Sequence, residues 1–140
     1  MNKVPIWFNI VAAVALLWNL LGALAVAMNF MITPEAIAAL PVEQQQMYAD
    51  TPMWSSYASL LAVSTGALGC IALLLRKSIA IPLFTLSILG LIAQDIGIFV
   101  IVDAVAVLGS SVLIMQAGVA IIAIGLFFLA KMAKQRDWIA

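Results

Sequence analysis

The residues of this chain that can do polar chemistry inside an apolar surrounding are Asn19, Tyr57, Ser59, Gln94, Asp95 and Gln116, with Trp18 adding an indole N–H beside Asn19. Asp95 is the acid that falls within an apolar run. A carboxylate at such a position costs about 2.5–3.5 kcal/mol on insertion scales, and ionisable groups kept there mark functional sites by default. No basic residue shares its depth, so its partners must come from Asn19, Gln116, Tyr57 or a serine hydroxyl. Two readings stand side by side. In one, Asp95 lies near the interface, satisfied by amides or water, and helps to hold the helices together. In the other it is a proton- or cation-responsive group in an outward-facing site.

Several other chemistries lack their parts. The chain has no histidine and one cysteine, Cys70, so Ser–His catalysis, an internal disulfide and the usual zinc or haem ligand sets are absent from the sequence. Cys70 itself reads as a small packing residue. Every lysine sits at the opposite end from the candidate serines, which excludes a serine–lysine dyad. Asp95 and Asp103 are separated by about 12 Å of helix, too far for a carboxylate pair. Gly66-Ala67-Leu68-Gly69 follows no strand and precedes no lysine, unlike a phosphate-binding loop. No basic patch interleaves with aromatics, so nucleic acid is not a partner. The sequence therefore predicts a non-enzymatic protein with no catalytic residue, metal ligand or cofactor.

The elements that must position these groups follow from composition. Of 140 residues 66% are hydrophobic and 9% charged, against a charged share of about a quarter in soluble domains. About 30 Å of hydrocarbon at 1.5 Å per residue requires about 20 apolar residues. Four windows qualify: 5–28, 52–75, 79–102 and 111–130. Backbone groups in lipid must satisfy one another, so all four are helices, and 1–140 forms a single all-α transmembrane domain. The first window is longer than the roughly 7–15 residues of a signal-peptide core, and it reads as a retained helix. Lys3, Arg76, Lys77, Lys131, Lys134 and Arg136 all fall on one side of the spans, whereas residues 29–51 and the connection around Asp103 hold no Lys or Arg. Cytoplasmic flanks are rich in these residues, so both termini are expected in the cytoplasm. The same bias disfavours an antiparallel dual-topology dimer. A parallel homo-oligomer stays open.

Punctuation refines the picture. Arg76-Lys77-Ser78 alone joins the second and third spans, which makes them antiparallel neighbours in an up-and-down four-helix bundle. Asp50 or Thr51 can cap the second helix, Ser78 the third, and Gly109-Ser110-Ser111 supplies a turn and cap for the fourth. Thr33-Pro34-Glu35 and Pro41-Val42-Glu43 each read as a helix start, predicting short helices over 34–40 and 41–48 as a lid in the first outer loop. Trp7 and Trp138 are expected at the inner interface and Trp54 at the outer one. Small residues give each span a packing face: Ala12, Ala15, Asn19 and Gly22; Ala58, Ala62, Gly66 and Cys70; Ser87, Gly90, Gln94 and Gly97; and, in the fourth, Gln116, Ala120 and Ala123, with Gly118 and Gly125 on another face. Span direction brings Ser55, Ser56, Tyr57, Ser59, Gln94, Asp95 and Gln116 to one outer level, with Asn19 somewhat deeper.

The Val4-Pro5-Ile6-Trp7 start, Trp18-Asn19-Leu20 with Gly22, Thr33-Pro34-Glu35-Ala36, Pro52-Met53-Trp54, and Gly66-Ala67-Leu68-Gly69-Cys70 leading to Leu75-Arg76-Lys77 resemble a group of small four-helix bacterial inner-membrane proteins of unknown function, often labelled automatically as sugar transporters. The resemblance spans most of the chain. It implies a multi-pass protein of the bacterial inner membrane and carries over no catalytic residue. A sugar-sized cavity of roughly 300–1,000 Å³ finds little room in one such bundle, and neither internal repeats nor broken mid-membrane helices are visible in the sequence. The expected function is binding of a small or lipid-like molecule, or of a partner protein in the bilayer, at the outward-facing polar region. The alternative is a small transporter or channel component acting as a parallel homo-oligomer.

Overall fold

The computed structural model describes residues 3–101 and 103–140. Eight helical segments follow one another: α1 (Ile6–Phe30), α2 (Pro34–Ala38), α3 (Val42–Asp50), α4 (Met53–Leu74), α5 (Ala80–Asp95), a π-helical segment (Ile96–Ile101), α6 (Ala104–Leu108) and α7 (Ser111–Gln135). Among the described residues there is no strand. Four helices are long and apolar enough to cross a membrane: α1, α4, α5 continued by the π segment as Ala80–Ile101, and α7. Val102, the expected end of the third span, lies outside the described residues.

The four long helices pack in chain order, α1 on α4, α4 on α5, and α5 on α7. Their contacts run in opposite register, as antiparallel neighbours must. Along α4, Ser55 meets Gly97, Ala58 and Ala62 meet Gly90, Gly66 meets Ser87, and Gly69 meets Phe84. On its other side α4 meets α1 at Tyr57–Phe30, Val63–Gly22 and Gly66–Asn19. The small-residue faces expected of the first three spans are therefore the faces used. A β-carbon on Gly90 would lie 2.8 Å from the Ala58 carbonyl oxygen and 3.0 Å from the Ala62 nitrogen. Close backbone approach of this kind gains dispersion where lipid supplies no hydrophobic drive. The fourth span departs from expectation: around Gly118 and Gly125 an added β-carbon would meet nothing within 4 Å. These two glycines widen a surface and do not close a contact.

The basic end is the best packed. Phe8, Cys70, Leu73, Phe84, Ala130 and Ile139 belong to one buried cluster there. Arg76 and Asp137 take left-handed backbone conformations, φ 61° and 56°, and each ends a helix in a Schellman turn. Lys77 N–H donates to the Ala72 carbonyl at 2.8 Å and Arg76 N–H to Leu73 at 3.1 Å; Trp138 N–H donates to Ala133 at 2.8 Å and Asp137 N–H to Lys134 at 3.2 Å. The second turn folds the tail back under the bundle, where Ala140 N–H donates to the Arg76 carbonyl and Ser78 N–H to the Ala140 carbonyl, both at 3.0 Å. Trp138 thus lies at the expected end of the bundle but is buried, edge-on to Phe8 and Trp7 at 5.5 and 5.6 Å. The Arg76 guanidinium ties the end of α4 to α1: it donates to Asn9 Oδ1 at 2.6 Å and to the Leu73 carbonyl at 3.3 Å, and lies over the Phe8 ring.

Capping is where local signals fail. Thr33 Oγ1 accepts from Ala36 N–H at 3.1 Å as expected, and Gly109 makes the turn before α7 at φ 84°. But Thr51 donates its hydroxyl backward to the Met47 carbonyl at 2.6 Å, ending α3 and leaving α4 to start after Pro52 without a side-chain cap. Neither Ser78 nor Ser110 caps its helix through a side chain: the residue before α5 is Ile79, and Ser110 makes no cap hydrogen bond. The short helices α2 and α3 form where Pro34 and Pro41 start them, and α3 touches α6.

Gly90→Ala pushes a methyl group into the α4 backbone and is expected to cost about 1–3 kcal/mol, the usual penalty of overpacking. Gly118→Ala, in open space, should stay within about 0.5 kcal/mol. Thermal unfolding of both variants in one detergent checks the contrast.

Candidate functional site

Polar side chains gather in two layers, set by the antiparallel register of α1, α4 and α5. The deeper layer is centred on Gly66. Asn19 fills the space a side chain there would need, and Ser87 Oγ lies 3.3 Å from where its β-carbon would be. Asn19 Nδ2 donates to the Ala15 carbonyl at 2.9 Å and to Cys70 Sγ at 3.7 Å. Ser87 donates to the Ala62 carbonyl at 2.7 Å, across from α5 to α4. This layer is saturated by its own helices. It acts as a polar clip: an amide and a hydroxyl whose donors are consumed in fixing α1 and α5 onto α4.

The second layer lies seven residues further along α5, about 10 Å nearer the acidic loops. Gln94 Nε2 donates to Gln116 Oε1 at 3.3 Å, bridging α5 to α7. Ser55 donates to the Gln94 carbonyl at 3.3 Å, bridging α4 to α5, and Ser59 donates back to Ser55 at 3.2 Å within α4. Asp95 follows Gln94. Its Oδ1 is buried and receives no hydrogen bond from any described residue. Directly after Asp95 the helix changes from α to π turns over Ile96–Ile101, a rare geometry that is frequent at functional sites. Gly97, the second residue of that stretch, has the Ser55 side chain seated where its own β-carbon would be. Asp103 then enters α6 in a left-handed conformation, φ 55°.

Asn19, Gln94, Asp95 and Gln116 therefore point inward, but Asn19 belongs to a different layer from the other three. Ser59 is half-buried and bonded within its own helix. Trp18 and Tyr57 are not part of either layer. Trp18, next to Asn19 in sequence, is turned about 100° around the helix and lines an apolar cleft between α1 and α7. Tyr57 is 58% exposed and packs against Phe30 on the flank of the bundle. Ser55 and Ser87, which shape the two layers, are legible in the sequence, Ser87 on the small-residue face of the third span and Ser55 at the outer level of the second. The π segment carries no sequence signal that marks it.

Chemically, the second layer can accept hydrogen bonds or a positive charge at Asp95, and exchange amide hydrogen bonds at Gln94 and Gln116. No hydroxyl or thiol in it is hydrogen-bonded to a general base. Among the described residues no group of three metal-binding side chains comes together. No protein-family model, curated protein or solved structure matches the chain.

The Gln94–Gln116 bridge is expected to couple α5 to α7 by about 0.6 kcal/mol, the average for hydrogen bonds between helices in lipid. A double-mutant cycle with Gln94→Leu and Gln116→Leu, read by unfolding in mixed micelles, measures it; strictly additive effects would show the bridge to be energetically silent.

Proposed function

We propose that this chain is a non-enzymatic multi-pass membrane protein that binds a small or lipid-like molecule, or a partner protein, at the layer formed by Gln94, Asp95 and Gln116. One observation carries the reading: the buried Asp95 oxygen accepts nothing from the described residues, although a carboxylate in an apolar surrounding needs a donor or a cation. A ligand bearing an N–H, O–H or positive charge supplies what the chain does not. The α-to-π change beside it supports the same place, because the wider turns loosen this end while the other is tightly packed.

The charge partition supports an orientation with both termini in the cytoplasm and this layer facing outward. On that topology α2 and α3 lie over the outer end, and the touch of α3 on α6 supports their reading as a lid. The resemblance noted in the sequence supports placement in a bacterial inner membrane. Purified in mild detergent, the protein is expected to retain a small molecule or a partner visible in native mass spectra. Gln116→Leu and Asp95→Leu should remain folded and lose it; retention unchanged in both variants rejects the reading.

A second reading, a small transporter or channel component working as a parallel homo-oligomer, draws on the same unsatisfied carboxylate, since a group that can take up a proton or cation suits conduction. It requires flux of protons, alkali cations or small sugars into vesicles containing the purified protein, abolished by Asp95→Asn. Vesicles tight to all three solutes rule it out.

A further inference from the structure

Three of the four lateral seams of the bundle are closed by helix packing; the fourth, between α1 and α7, is not. There the helices flank an apolar cleft of about 550 Å³, with Ile10, Val14 and Trp18 on one wall and Ile122, Gly125 and Leu129 on the other. The cleft has two structural causes. At the basic end Trp138 is wedged against Trp7 and Phe8, which sets the separation of α1 from the end of α7. At mid-length Gly125 offers no side chain to fill the gap, and a β-carbon there would touch nothing. The stripe Ile6, Ile10, Val14, Trp18 keeps to one face of α1 at four-residue spacing. Just beyond its lower end lies a second hollow of about 580 Å³, lined in part by Lys3, Ile6, Asn9 and Trp138.

We propose that the α1–α7 cleft seats an acyl chain of an anionic glycerophospholipid whose phosphate lies against Lys3 in the adjoining hollow. The apolar walls and the opening toward the hydrocarbon select a lipid tail over a water-soluble ligand. Charge selects the headgroup. Lys3 is exposed and makes no hydrogen bond or ion pair with any described residue, whereas Asn9 is already engaged by Arg76. Arg76, Lys77, Lys131, Lys134 and Arg136 stand at the same end, with Asp137 as the only acidic side chain among the described residues there. A zwitterionic lipid brings its own ammonium group into this positive field and loses the gain; an anionic one does not. Basic pockets between membrane helices bind anionic headgroups for this reason. The site is separate from the Asp95 layer and does not depend on its function.

The test uses the full chain in detergent and in phosphatidylcholine nanodiscs with or without phosphatidylglycerol, read by native mass spectrometry and by thermal unfolding. Phosphatidylglycerol should be retained and raise Tm, with about a fivefold preference over phosphatidylcholine for one basic contact; inorganic phosphate should not shift Tm. Gly125→Leu, or Val14→Phe should the first fail to fold, fills the cleft and should abolish retention while leaving the lipid-free Tm close to wild type. Lys3→Gln should keep a lipid but lose the preference. Asp95→Leu should change neither. Equal retention of the two lipids by wild type overturns the proposal, as do retention that survives a filled cleft, an unchanged preference in Lys3→Gln, or a Tm shift by inorganic phosphate equal to that by phosphatidylglycerol.

Discussion

Lipid does not drive helices together, because a leucine facing a tail and a leucine facing a neighbouring helix are in nearly the same medium. What holds the bundle is close backbone contact, and Gly90 on the Ala58–Ala62 stretch of α4 makes such a contact, its missing side chain letting backbone meet backbone. That contact sets the α4–α5 distance, and the positions of Ser87 against α4 and of Ser55 against α5 follow from it. With the seam fixed, hydroxyls reach carbonyls of the facing helix at Ala62 and Gln94. Asn19 can lie over Gly66 only because α4 carries no side chain there. α4 is accordingly the most enclosed of the four spans, and α1 and α7 leave most of their length open to the surrounding phase.

The two ends of the bundle are built differently. At the basic end, paired Schellman turns, the folded-back tail and the Arg76 guanidinium tie α1, α4, α5 and the segment after α7 into one packed unit. Two non-glycine residues accept left-handed backbone, at a cost on the order of 1–3 kcal/mol each, and the hydrogen bonds and ring contacts around them offset it. At the other end the third span gives up α geometry after Asp95, and the chain continues through a short helix and a glycine turn. A rigid base beneath a looser, polar end is an arrangement in which binding at the polar end can move a few residues without disturbing the rest.

Much of this was legible in the residues. Span number came from run length, and the antiparallel pairing of the second and third spans from the short Arg76-Lys77-Ser78 connection; the small-residue stripes on the first three spans named the faces that pack. These signals work because they express constraints that act on a helix alone: its length against the hydrocarbon, its charge at the interface, its side chains at a period of 3.6. Trp18 and Tyr57 misled because adjacency in sequence is not adjacency in space; one position along a helix turns a side chain about 100°. Thr51 and Ser78 misled because a hydroxyl can serve the helix before it, or none, as easily as the helix after it.

The sequence by itself determined that the chain is four apolar helices, which helices are antiparallel neighbours, and that Asn19, Tyr57, Ser59, Gln94, Asp95 and Gln116 are polar groups set among apolar ones. Only the tertiary structure decided that Asn19 is consumed in packing while Asp95 Oδ1 receives no hydrogen bond from the described residues, that α5 turns into a π segment beside it, and that α1 and α7 stand apart over an apolar cleft. The physical reason is the same in each case. Whether a polar group is satisfied, or a gap is filled, depends on the distance between two helices, and that distance is set by the single tightest contact along a seam, which no one helix encodes.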